Sequence, residues 1–127
     1  MTAFGEAFLF CRAARYDLRG KALLKTNPKE YIVDTGFRTW MAGYRVTDIG
    51  RLFENAVYFQ LLYEGWSVHV GKLYGREVDF VATKDGRVLY VQATDEMFAS
   101  ETREREIAPL KAIRDNHEKT VVVAGFL

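Results

Sequence analysis

This sequence predicts an α/β fold, and three observations carry that prediction. From Asp48 onward the pattern reads helix, strand, strand, strand, helix, strand. The first of those helices carries apolar residues at three- and four-residue spacing along one face, as suits a helix lying on a sheet. The final strand is a nearly continuous apolar run, the mark of a strand covered on both faces. A small mixed sheet flanked by helices follows from that order. Residues 48–127 are read as the core domain, and residues 1–47 as an N-terminal extension packing on it.

Each element has its own local signal. Phe8, Leu9 and Phe10, followed by the alternation of Arg12, Arg15 and Tyr16, read as a strand. Residues 18–26 continue in short extended pieces up to the turn signal Asn27-Pro28. Tyr31-Ile32-Val33-Asp34 reads as a short buried strand, and Thr35-Gly36 opens a short helix through Trp40 and Met41 that Gly43 closes. Asp48 is placed as the N-cap of a helix running to Glu64. Its apolar face is formed by Ile49, Leu52, Phe53, Ala56, Val57, Gln60 and Leu61 at three- and four-residue spacing, and Gly65 ends it. Residues 67–70 alternate weakly. Residues 77–83 read E-V-D-F-V-A-T, with Val78, Phe80 and Ala82 expected on one face and Asp79 on the other. Asp85-Gly86 is a strong hairpin signal between this strand and its partner at 87–94. Ser100 is read as the N-cap of a second helix reaching about Asn116, with Ile107, Leu110 and Ile113 as its apolar stripe. Residues 119–125, with Val121-Val122-Val123-Ala124, are expected to form a buried central strand.

Composition narrows the function classes. The chain has 127 residues, room for one core. Lys plus Arg number 18 and Asp plus Glu 17, a net charge of +1, so there is no overall basic field of the kind that marks a dedicated nucleic-acid-binding domain. Cys11 is the only cysteine, which rules out an intramolecular disulfide. With no signal-peptide pattern and no apolar run near the roughly 20 residues that span a bilayer, the expected location is the cytoplasm, with no membrane partner. The abrupt first and last elements suggest a piece of a longer chain. No Walker A or dinucleotide-binding glycine motif is present, and His69 and His117 have no partner at zinc-ligand spacing.

One constellation could carry chemistry. Glu54 lies on the first helix at the border of its apolar face, Asp79 on the middle strand, and Gln92 on the next strand. An inward carboxylate in a half-buried hairpin needs a cation or hydrogen bonds, and a hard divalent ion takes oxygen ligands of this kind. The plainer reading pairs Asp79 with Arg76 or Lys72 on the sheet surface, and makes Gln92 a satisfied strand residue.

The α-β-β-β-α-β order, with Glu54, then Asp79 in E-V-D-F, then Gln92 in Y-V-Q-A-T, resembles the PD-(D/E)XK, or restriction-endonuclease-like, nuclease superfamily. More narrowly, the chain resembles the C-terminal domain of a prokaryotic AAA+ ATPase family of unknown function. That likeness rests on Leu23-Leu24-Lys25-Thr26-Asn27, Tyr31-Ile32-Val33-Asp34-Thr35-Gly36-Phe37-Arg38, Asp48-Ile49-Gly50-Arg51-Leu52-Phe53-Glu54-Asn55, Glu77-Val78-Asp79-Phe80-Val81 and Glu101-Thr102-Arg103-Glu104-Arg105-Glu106. The resemblance implies a catalytic set of Glu54, Asp79 and Gln92, with Asp79 and Gln92 as ligands of Mg²⁺ or Mn²⁺. It also implies an acid at position 92 and a lysine at position 94, where this chain has Gln92 and Thr94. Gln92 offers a neutral carbonyl, and Thr94 has no ammonium to assist an attacking water, though Lys72 or Lys84 stands nearby in sequence. The resulting expectation is an accessory domain with a degenerate site, binding nucleic acid or the ATPase region of its parent chain without efficient cleavage. An active Mg²⁺-dependent nuclease and a pure protein-interaction domain are the alternatives.

Overall fold

The alternating and apolar runs assemble mainly into one mixed sheet with a helix on each face. The computed structural model of the chain describes residues 8–34, 46–94 and 100–123. The strands are β1 (Phe8–Ala13), β2 (Arg15–Asp17), β3 (Ala22–Leu23), β4 (Lys29–Asp34), β5 (Ser67–Leu73), β6 (Arg76–Lys84), β7 (Arg87–Thr94) and β8 (Glu118–Val123). The helices are α1 (Val46–Tyr63) and α2 (Ser100–Lys111). Among the described residues, β1 and β4 pair antiparallel on their own, and a six-stranded sheet has the order β3-β2-β5-β6-β7-β8. β5-β6-β7 is an antiparallel meander, while β2 joins β5 and β8 joins β7 in parallel. From α1 onward the element order is α-β-β-β-α-β, as the sequence predicts.

The first part of the chain does more than pack on the core. Tyr16 and Asp17 enter the ladder beside Gly71 and Lys72 of β5, so residues 15–23 extend the main sheet. The short helix expected around residues 35–43 lies outside the described residues.

The local devices are those the residues dictate. α1 begins at Val46, so Asp48 lies within its first turn instead of preceding it. The helix closes at Gly65, whose φ of 92° suits glycine. The bonds Trp66 N–H to Leu61 O and Gly65 N–H to Leu62 O, both 3.0 Å, are the paired bonds of a Schellman cap. The Asp85-Gly86 turn has both central residues at positive φ (50° and 79°), the turn that matches strand twist. Tyr74 and Gly75 make a second such turn between β5 and β6, which the sequence reading did not find.

Two expectations are corrected. The final strand is not central: β8 ends the sheet order, its middle residues are half-buried, and Val123 is 44% exposed. Its run of valines reflects a strand half-covered on each face, not one enclosed between neighbours. α2 ends at Lys111, short of Asn116.

The core is two cores. Val57, Tyr58 and Leu61 of α1 pack with Tyr31, Val68, Val70, Phe80, Ala82 and Val91 on one face of the sheet, and Phe53 and Val122 lie partly buried against them. Leu110 of α2 and Ile113 pack with Val78, Val81, Tyr90, Leu18 and Leu73 on the other. Val78 and Phe80, expected together, are therefore separated by the sheet. The cause is a β-bulge. Between the pairs His69↔Val81 and Gly71↔Val78, β5 advances two residues while β6 advances three. The extra residue breaks the two-residue alternation, so side chains on either side of it change face.

Candidate functional site

The bulge is what builds the site. It turns Asp79 toward the α1 face, the same side as Phe80 and opposite Val78, where strict alternation would have separated Asp79 from Phe80. Glu77 keeps the α1 side because it precedes Asp79 by two residues. Glu54 reaches the same spot from α1. Ligand-type oxygens of Glu54, Glu77 and Asp79 all lie within 4.8 Å of one another, and all three residues are half-buried. Beneath them is an aromatic floor: Tyr31 stacks on Tyr58 with ring centroids 4.1 Å apart, and Phe80 lies 5.6 Å from Tyr31. The Tyr31 hydroxyl faces Glu54 at 3.4 Å.

A cation already stands among these carboxylates. Lys29, the first residue of β4, donates from Nζ to Glu54 Oε1 and to Glu77 Oε1, each at 2.7 Å. Arg15 donates to the second oxygen of Glu77 at 3.1 Å, and Lys72 lies 3.9 Å from the same oxygen. Burial works against the charge on Lys29, but its bonds to Glu54 and Glu77 outweigh that and raise its pKa above the ordinary value. Burial likewise works against the charge on Glu77, and Lys29 and Arg15 more than reverse it, holding that carboxyl below its usual range. With Glu54 and Glu77 met by Lys29 and Arg15, the charge of Asp79 is the surplus one. Burial pushes its carboxyl up to about 7, with Glu54 and Glu106 adding to the rise while the Ala93 N–H and Lys29 oppose it. Burial also raises the Tyr31 phenol, reinforced by Glu54, Asp79 and Glu77, so that hydroxyl stays a donor.

Gln92 has a different task from that of a ligand. The β6–β7 backbone register runs from Lys84↔Arg87 to Phe80↔Val91. Beyond that pair, side chains stand in for the ladder. The Asp79 N–H donates to Gln92 Oε1 at 2.6 Å, and the Ala93 N–H donates to Asp79 Oδ2 at 2.8 Å. The Gln92 amide then donates to the Glu106 carbonyl of α2 at 3.2 Å. Gln92 is 4% exposed, and its carbonyl and its amide each have a partner. Its carbonyl meets the Asp79 backbone, not the space between the carboxylates. Thr94 is buried at the end of β7.

Of the residues singled out from sequence, Glu54 and Asp79 come together, and Gln92 supports Asp79 from behind. Lys72 turns to Glu77, and Lys84 is remote, donating to the Glu64 carbonyl at 2.6 Å near the end of α1. Sequence reasoning missed Glu77 and Lys29. The i, i+2 spacing of Glu77 and Asp79 on one strand was a usable signal for the first. No local pattern marks the second.

Comparison with known proteins gives a partial likeness. An uncharacterized protein of Haemophilus influenzae is 42% identical over 121 residues, an alignment that covers 95% of this chain and 30% of that protein. The chain thus spans under a third of the length of this relative. No family model matches the chain, and no solved structure matches it. No helix among the described residues is long and apolar enough to cross a membrane.

Proposed function

We propose that this chain is a restriction-endonuclease-like accessory module whose nuclease site is degenerate. It works beside an ATPase in the cytoplasm and does not cleave nucleic acid efficiently. The α-β-β-β-α-β order supports the kinship, as does an Asp on the middle strand facing a Glu on the preceding helix. The observation that carries the loss of activity is Gln92. At the position where the resemblance implies an acidic metal ligand, its carbonyl accepts the Asp79 N–H and its amide ties down α2.

Mg²⁺ or Mn²⁺, the cofactor the resemblance implies, would have to be held by Glu54, Glu77 and Asp79. The oxygens are close enough for one ion to bridge. As arranged, however, the set does not fit it. An ammonium is bonded to two of the three residues, and the third retains a proton up to about pH 7. Nor does buried Thr94 supply the cationic group that assists an attacking water.

The partner we propose is the ATPase region of a longer parent chain, with nucleic acid as the alternative. The Haemophilus relative, most of which lies outside the alignment, supports only the longer parent chain; the net charge of +1 argues against strong, general nucleic-acid binding. The test incubates plasmid, single-stranded DNA and RNA with the protein and Mg²⁺ or Mn²⁺, beside an Asp79→Ala control. No metal-dependent cleavage is the expected result. Cleavage that needs metal and disappears in the control would replace this reading with an active nuclease.

A further inference from the structure

The same cluster supports a more specific statement, which rests on the reading of Glu54, Glu77 and Asp79 as a former metal site. We infer that Lys29 is the resident cation of this site: its ammonium takes the place of a divalent ion and closes the cluster to metal.

Three observations carry this. The first is position. Lys29 Nζ lies 2.7 Å from an oxygen of Glu54 and 2.7 Å from an oxygen of Glu77, so it sits between two of the three carboxylates that could share an ion. The second is anchoring. Lys29 opens β4 opposite Ala13 of β1, and its ammonium is also 5.7 Å from the ring centre of Tyr31, a favourable cation–π placement. The side chain is 28% exposed, so the charge is held at the protein's edge of the cluster and not free in solvent. The third is charge balance. Glu77 is met by Arg15 as well as Lys29, which leaves little negative charge for an incoming ion. A charge buried this far persists only when paired, and Lys29 and the two glutamates supply each other's partner.

The arrangement also explains how a strand outside the α-β-β-β-α-β core becomes part of the site. β4 contributes both the ammonium and, two residues on, the Tyr31 ring that floors the cluster. Removing the ammonium while keeping its alkyl stem should leave the facing oxygens of Glu54 and Glu77 without their shared cation, with Arg15 and Lys72 remaining only at the other oxygen of Glu77.

The test uses Lys29→Met and, because it retains a hydrogen-bond donor, Lys29→Gln. Mn²⁺ uptake is read by loss of the free-ion electron paramagnetic resonance signal, and melting temperature is read with and without millimolar Mn²⁺. The wild type should take up no Mn²⁺ and show no shift in melting. At least one variant should bind Mn²⁺ about thirtyfold or more tightly than the wild type, the order of the repulsion between an ammonium and a divalent ion about 4 Å apart even at the dielectric of water. Adding Asp79→Asn or Glu54→Gln to that variant should weaken the gain, which a nonspecific surface site would not do. Uptake by the wild type at comparable affinity overturns the inference, and so does failure of both lysine variants to bind at millimolar Mn²⁺, whether or not they fold without it. Cleavage by the wild type would instead overturn the functional reading, so the two failures are separately visible.

Discussion

Replacing Asp79 with asparagine should make the protein more stable at alkaline pH, although it removes a residue at the centre of the candidate site. The shape is nearly unchanged, and the asparagine carbonyl can accept the Ala93 N–H that Asp79 Oδ2 accepts, 2.8 Å away. What changes is the charge. Burial, aided by Glu54 and Glu106, raises the folded-state carboxyl from 3.8 to about 7. Between those values the folded protein holds a proton that the unfolded chain has released. Stability therefore falls as pH rises from about 4 to about 7 and is flat beyond, the reverse of a salt-bridged aspartate. A difference of roughly 3 pH units corresponds to an upper bound of about 4 kcal/mol, and solvent at this half-buried position should reduce it to about 2–3 kcal/mol. The assay is urea unfolding of wild type and Asp79→Asn at about pH 4.5, 6 and 8, where other titrating groups largely cancel in the difference. The two proteins should be close at the lowest pH and diverge in favour of the variant as pH rises. A variant that is less stable at about pH 8, or a difference that does not change with pH, would refute the charge argument and make Asp79 a paired structural carboxylate.

The remaining predictions concern the supports of the site and the core. Gln92→Leu leaves both the Asp79 N–H and the Glu106 carbonyl without their side-chain partner. It should cost about 1–3 kcal/mol in urea unfolding, and a loss under about 0.5 kcal/mol would mean water replaces both bonds. Phe80→Ala empties a fully buried position against Tyr31 and Tyr58 and should cost about 3–5 kcal/mol. Phe53→Ala, on the partly buried margin of the same cluster, should cost clearly less, and equal losses would contradict the packing described.

Much of the fold was legible because its signals are local. Gly65 at the end of α1 and Asp85-Gly86 at the second hairpin each depend on a few neighbouring residues and appear where the sequence put them, and of the expected apolar face Val57 and Leu61 are buried and Phe53 partly so, while Ala56 is exposed. β8 was misplaced for a reason that is also physical. An apolar run reports that a strand is covered, not how many strands lie beside it. β8 owes its valines to partial cover from both sides at the end of the sheet. The Tyr74-Gly75 turn was overlooked because tyrosine is an unusual occupant of a left-handed position. Its ring stays 72% exposed, with Arg19 5.1 Å from the ring centre.

The site was legible only in part, because two of its determinants are not local. The first is the bulge. Period-two reading put Val78 and Phe80 together and Asp79 against them, and one inserted residue in β6 invalidates that for every position across it. The residues hold a trace of the irregularity. Asp79 interrupts an apolar strand, and Gln92 stands where β7 would lie opposite it. Those two polar side chains stand in for the β6–β7 ladder bonds beyond the Phe80↔Val91 pair. Gln92 thus explains itself as the acceptor for a stranded backbone N–H, a role that an ionised carboxylate could also fill but at the expense of another negative charge beside Glu54, Glu77 and Asp79. The second determinant is Lys29, 25 residues from Glu54 and 48 from Glu77 along the chain. No motif links residues that far apart. Their meeting depends on β4 lying over the α1 face, a tertiary fact. The neutral side chain at position 92 and the ammonium at position 29 act in the same direction, since both limit the negative charge available to an ion. The first could be read from the sequence as a departure from a pattern. The second gives that departure its physical sense, because a cluster with its own cation has no need of a fourth acidic group.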